Sequence, residues 1–272
     1  MRTSSIGSWG WSVVSLPLAP PRRARLLALA AMRVNEQRAL KRPESLIHAA
    51  ADASVGKISV AVRYAFAVGR KALRAKKDAV QAVHDALLDV LPGTLLKVAA
   101  AGGRATRIPE VRTASELVEL RVKGGLLHFR FDSSNPRAAK WAKRHAAELA
   151  KDISETTRQA IADAIAEQQE EGGDVDILAA VGDETRADLI ARTESMRAAN
   201  FGQREAWAQA VDAGLLTGDE QRTWIATGDE ALCPICEALD GATAGLDGEY
   251  PDPGGEGPPA HPRCRCTEGI AA

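Results

Sequence analysis

The stretch that decides the reading is Thr223–Thr267, TWIATGDEALCPICEALDGATAGLDGEYPDPGGEGPPAHPRCRCT. All four cysteines of the chain lie in it, as Cys233-Pro-Ile-Cys236 and, after 27 intervening residues, Cys264-Arg-Cys266 led by His261. Zinc takes four ligands in tetrahedral geometry, and thiolate and imidazole suit it. A Cys-x2-Cys turn brings two sulfurs to one ion. If Cys264-Arg265-Cys266 is extended, both of its sulfurs point to one face, because side chains alternate along a strand. Two ligand sets follow: all four cysteines, or a set that uses His261 and leaves Cys266 free. The second pair lacks the x2 spacing of a standard ribbon, so free thiols and disulfides stand beside structural zinc as readings. The loop Gly241–Pro259 is too rich in Gly and Pro to hold itself, and closure of its ends is expected to order it.

Other zinc chemistry is excluded by pattern. A deaminase needs His-x-Glu with Pro-Cys-x-x-Cys. A metalloprotease needs His-Glu-x-x-His. None of His48, His84, His128, His145 and His261 is followed two residues on by Glu, and no Walker loop or dinucleotide glycine motif occurs. A metal-dependent nuclease built on His261 is the remaining enzymatic alternative. No catalytic residue is assigned, and the chain is read as a non-enzyme without a small-molecule substrate.

Working outward, the cysteines are preceded by Leu189-Ile-Ala-Arg-Thr-Glu-Ser195 and Trp224-Ile-Ala-Thr-Gly-Asp229, and joined by Asp240-Gly241 and Pro258-Pro-Ala-His-Pro-Arg-Cys-Arg-Cys266. In this order, from about residue 135 onward, the chain resembles the phage head-morphogenesis family typified by the F protein of phage Mu. The resemblance implies a minor head protein of a tailed bacteriophage. It would sit in the capsid interior near the portal, assemble in the host cytoplasm, and help head assembly or genome packaging and delivery. Portal protein, major capsid or scaffold protein, and packaged DNA are the partners it implies. Arg192, Thr193, Glu194, Trp224 and Asp229 are the motif positions. Arg192 is read as an ion-pair partner of Asp188, one helical turn earlier, or of Asp229, rather than as part of a catalytic acid–base set.

Charge divides the chain. Residues 1–107 hold 18 Lys+Arg against 6 Asp+Glu, a net of +12, and residues 108–272 hold 17 against 30, a net of −13. Such a split fits a basic arm on an anionic partner. The alternative function is therefore non-specific DNA binding by the basic half, through Arg70, Lys71, Arg74, Lys76 and Lys77. No run reaches the ~18 apolar residues of a membrane span, and Ser12–Leu18 is a poor signal peptide, interrupted by Pro17. Cysteines made in a reducing cytoplasm are more often metal-bound or free than paired.

Low aromatic content (4%) and frequent alanine predict a mainly α (α+β) fold, a helical body with a small β-hairpin and a zinc-knuckle-like C-terminal module. Residues 1–21 read as a flexible tail in which Trp9 and Trp11 anchor on a partner. Residues 22–100 read as a basic helical domain, with one helix ended by Pro43 and a long or broken helical stretch over 44–90. That stretch carries a stripe, Ile58, Val62, Phe66, Leu73, Val80, Val83, Leu87 and Val90, expected to be buried against the portal or another copy. Pro92-Gly93 is expected to stop it. Residues 101–113, with Gly102-Gly103-Arg104, read as a linker. Residues 114–216 form the body: a hairpin over 117–131, a helix from Asn135-Pro136 to Glu171, a short helix near 175–181 and another over 184–212. The C-terminal module spans 217–272. Thr217-Gly-Asp-Glu220 fits a capping box that opens a helix presenting Trp224.

Overall fold

A computed structural model describes residues 43–106, 132, 134–171, 176–227 and 232–270. The tail with Trp9 and Trp11, the helix of 22–42, the hairpin of 117–131 and Asp229 lie outside the described residues. Among the described residues five helices come first: α1 (Pro43–Arg74), α2 (Ala79–Ala105), α3 (Pro136–Glu171), α4 (Ile177–Ala180) and α5 (Glu184–Asp212). The C-terminal part is β1 (Gln221–Ile225), α6 (Pro234–Leu239), β2 (Thr243–Gly245) and β3 (Thr267–Ile270). The fold is mainly α with a small antiparallel sheet, as the composition predicts.

The helical stretch predicted over 44–90 is broken at residues 75–78. Lys76 takes the left-handed conformation (φ 55°), and the Asp78 carboxylate caps α2 by accepting from the Gln81 N–H at 2.9 Å. Pro43 opens α1, as suits a residue with no N–H to offer. Pro92-Gly93 does not stop the chain, and α2 runs on to Ala105. An internal proline costs about 3 kcal/mol, but Leu91, Leu95 and Val98 beside it are fully buried, each worth roughly 1.5–3 kcal/mol.

The linker expected at 101–113 is helix over its first five residues, and Gly102 and Gly103 are buried. They let α2 and α5 touch backbone to backbone. A Cβ on Gly102 would meet the Ala199 carbonyl oxygen at 2.2 Å, and one on Gly202 would meet that of Ala99 at 1.8 Å. Glycine is the residue for such an approach because it has no Cβ. Residues 107–113 lie outside the described residues. The described residues 101–106 lie within one compact unit, Arg42–Ala272.

The apolar stripe is internal. Ile58, Val62, Phe66, Val83 and Leu87 are buried, with Leu73 and Val90 packed at the edge. Trp141, Ala146, Ala150 and Ile153 of α3 and Ala187, Ala191 and Ala198 of α5 close the same core. The expectation that a portal or second copy covers this stripe is therefore corrected: the chain's own later helices cover it. By length and composition α2 could cross a membrane, but half of its apolar window is buried, as in a core helix packed against α1, α3 and α5.

The three strands are antiparallel in the order β2-β1-β3. Trp224 of β1 faces Glu268 of β3 in register, and Arg222 faces Ala244 of β2. Here the predicted helix after Thr217 is overturned. The Glu220 carboxylate does accept from the Thr217 and Gly218 N–H groups, both at 2.8 Å, but a strand follows. Arg222 and Trp224 are buried and Gln221 exposed, the two-residue period of a strand.

Candidate metal centre

Each donor is placed by local structure. Cys233 is the N-cap of α6, and its sulfur accepts from the Cys236 N–H at 3.3 Å. Pro234 at the first helical position sets the turn, so Cys236 comes round beneath Cys233. From the other end of the module, the extended run before β3 turns Cys264 and Cys266 inward, both buried, and leaves Arg263 and Arg265 exposed. This is the alternation the sequence predicts.

The five candidate donors converge. Nε2 of His261 lies 3.0 Å from Sγ of Cys233 and 3.1 Å from Sγ of Cys236, and the Cys236 and Cys264 sulfurs are 3.6 Å apart. Cys233, Cys236 and His261 form one group, and Cys236, Cys264 and Cys266 a second, with all ligand atoms of each group within 4.8 Å of one another. The His261 Nδ1–H donates to the Pro262 carbonyl at 2.8 Å. That bond fixes the tautomer and turns the Nε2 lone pair toward the sulfurs, the arrangement of metal-ligating histidines. All four cysteines are unpaired by disulfide.

The sulfurs differ electrostatically. A hydrogen bond from Cys266, against the cost of burial, draws Cys264 down to about 5. Its donor role and burial push Cys266 well up. Burial pushes Cys236 up to about 12. Cys233 is raised by burial, but hydrogen bonds from the Cys236 N–H and thiol outweigh this and its net shift is downward. The Trp224 indole N–H is buried beside this cluster with no partner at full hydrogen-bond geometry, and its nearness to Cys266 weakly favours the thiolate there. A thiolate accepts from such a donor more strongly than a neutral thiol does. A cluster of thiols and one oriented imidazole, with an orphaned N–H next to it, fits a soft or borderline cation such as zinc.

The Gly/Pro-rich loop has a support that closure of its ends does not supply. Nη1 of Arg222 donates to Oε2 of Glu268 at 2.6 Å and to the Glu256 carbonyl at 2.9 Å. Its Nε donates to Gly245 O at 3.0 Å, and Nη2 donates to Gly248 O. Tyr250 lies under the guanidinium at 5.1 Å and donates to Glu268 at 3.2 Å. Burial and the Glu268 charge raise its phenol pKa. Trp224 meets Tyr250 edge to face, with centroids 5.2 Å apart. Sequence reading missed Arg222 and Glu268. Their signal was the alternation of Arg222 with Trp224.

The module sits on α5 through buried polar side chains that sequence reading also missed. Asn200 donates to the Pro258 and Cys266 carbonyls and accepts from Thr267 Oγ1 at 2.7 Å. Gln203 donates to Glu268 O at 2.9 Å. Thr193 accepts from the Arg263 N–H at 3.0 Å. Glu194 is buried and accepts from His145 Nε2 at 2.5 Å, tying α5 to α3, and Arg197 donates to it at 3.4 Å. The expected Arg192–Asp188 pair is replaced: Asp188 accepts from Ser59 at 2.7 Å and Arg63 at 3.0 Å, which hold its pKa down, and Arg192 adds a weaker attraction. A pairing of Arg192 with Asp229 lies outside the described residues.

Of the basic residues singled out, Arg70 donates to the Gly182 carbonyl. Lys71, Arg74, Lys76 and Lys77 are exposed around the C-terminal end of α1.

Residues 140–268 match the family described as Phage Mu protein F like protein. The C-terminal half is thus similar to the family that its motifs resemble, over α3 to β3. No curated protein and no solved structure matches the chain.

Proposed function

We propose that this chain is a structural minor head protein of a tailed bacteriophage, located inside the capsid near the portal and acting in head morphogenesis. The observation that carries the reading is the match of residues 140–268 to the Phage Mu F-like family. Its span coincides with one continuous piece of architecture, from the helix that packs α5 to the strand that closes the sheet. A structural rather than catalytic role fits the fate of two buried carboxylates. Glu194 is bonded to His145 and Arg197, and Glu268 to Arg222 and Tyr250. A zinc ion belongs to this reading. Cys233, Cys236, His261 and Cys264 would hold it, with Cys266 as hydrogen-bonding neighbour, and it would supply closure of the module rather than chemistry.

The test is co-purification. A tagged copy expressed during infection should bring down the portal protein and should be recovered from purified, DNA-filled heads. A chain missing from purified virions and from portal complexes would sink the reading.

A further inference from the structure

A cleft of about 940 Å³ opens beside the metal centre, between α1, α5 and the His261–Cys266 loop. Its aliphatic lining is Val55 of α1 and Leu189 of α5, both half-buried, over the buried Ala51 and Met196. Its walls carry Arg192, Arg263 and Arg265, all three exposed. The Arg192 and Arg263 guanidiniums make no hydrogen bond or close ion pair among the described residues. Among the described residues the opposing charge is small. Asp188 is already bonded to Ser59 and Arg63, which leaves Asp52 as the other carboxylate lining the cleft.

The loop that carries two of these arginines is anchored on both helices. The Arg263 N–H donates to Thr193 of α5, and His48 of α1 donates from Nε2 to the Arg265 carbonyl at 2.7 Å. Arg263 holds a left-handed backbone (φ 63°), a conformation a bulky residue adopts only when its surroundings fix it. With Cys264 and Cys266 turned into the cluster, the intervening arginine has to face outward.

We propose that this cleft is a docking site for an acidic amphipathic segment of a partner protein, with carboxylates on Arg192 and Arg263 and aliphatic side chains against Val55 and Leu189. Guanidinium pairs with carboxylate in a planar fork. A nucleic-acid backbone would also meet the arginines, but it would leave the aliphatic lining facing phosphate and water. A segment with both kinds of side chain satisfies lining and walls together. The inference concerns the described cleft alone and does not depend on a role in a phage head.

The experiment uses the full chain and a fluorescein-labelled helical peptide with Glu along one face and Leu along the other. Fluorescence anisotropy should show binding that weakens with salt. Changing Arg192→Gln and Arg263→Gln together should weaken it about tenfold or more, roughly 1.4 kcal/mol, while the melting temperature stays put. The same peptide with Gln for Glu should bind poorly. Three results overturn the proposal: no binding of the Glu peptide, binding indifferent to the arginine substitutions, or arginine-dependent binding of labelled duplex DNA without binding of the peptide. The last would reassign the cleft to nucleic acid.

Discussion

Nη1 of Arg222 lies 2.6 Å from Oε2 of Glu268, and both side chains are almost wholly out of solvent, at 2% and 0% exposure. A buried charge is tolerated when its partner and its remaining donors are satisfied. Here the guanidinium reaches three carbonyls of the Gly/Pro-rich loop as well, so one side chain of β1 holds the segment that has least structure of its own.

Removing one partner of that pair should be worse than removing both. Glu268→Leu leaves Arg222 buried and uncompensated, and should cost about 3–5 kcal/mol. Arg222→Met combined with Glu268→Leu should cost less than Glu268→Leu alone. Urea unfolding of the four members of the cycle measures this, and strictly additive losses would show that the pair is not coupled.

Two glycines in helices should respond oppositely to alanine. Gly202→Ala puts a methyl 1.8 Å from the Ala99 carbonyl oxygen, and should destabilise by about 3 kcal/mol or more as α2 and α5 are pushed apart. Gly93→Ala meets nothing within 4 Å and should gain about 0.5–1 kcal/mol from helix propensity. Thermal melts of both variants read the contrast.

For the metal centre, Cys233→Ser with Cys236→Ser should abolish bound zinc by elemental analysis and lower the melting temperature of the C-terminal module. His261→Ala should also lose the metal, whereas Cys266→Ser should keep it. The reverse pattern would give the fourth position to Cys266. Binding should weaken in acid. Cys236 is pushed up to about 12 and is protonated at neutral pH, so an ion must displace that proton. Apparent affinity then falls about tenfold per pH unit for each proton released. A competitive chelator titration at pH 6 and pH 8 checks the sign.

Non-specific DNA binding now rests on fewer residues. Arg70 is bonded to Gly182, so the substitutions to make are Lys71, Arg74, Lys76 and Lys77, all to Gln. If the end of α1 touches phosphate, each positive charge taken away from a phosphate should flatten the slope of log affinity against log salt by roughly 0.9. An unchanged slope would remove this patch from DNA binding.

By itself the sequence determined what depends on near neighbours. The start of α3 at Asn135-Pro136, the spans Pro136–Glu171 and Glu184–Asp212, the apolar stripe of α1 and α2, and the inward alternation of Cys264 and Cys266 all follow from caps and periodicity. What it left undetermined depends on partners distant in the chain. Gly102-Gly103 has the composition of a linker until Ala199 and Gly202 arrive beside it, and Pro92 has that of a stop until the core closes over Leu91 and Leu95. Thr217–Glu220 makes the hydrogen bonds of a helix start, yet the segment is a strand because Arg222 finds Glu268 46 residues later. Local propensity is worth a few tenths to one kcal/mol per residue. Burial of an aliphatic side chain, or desertion of a buried charge, is worth several times that. Where the two disagreed, the tertiary contact decided.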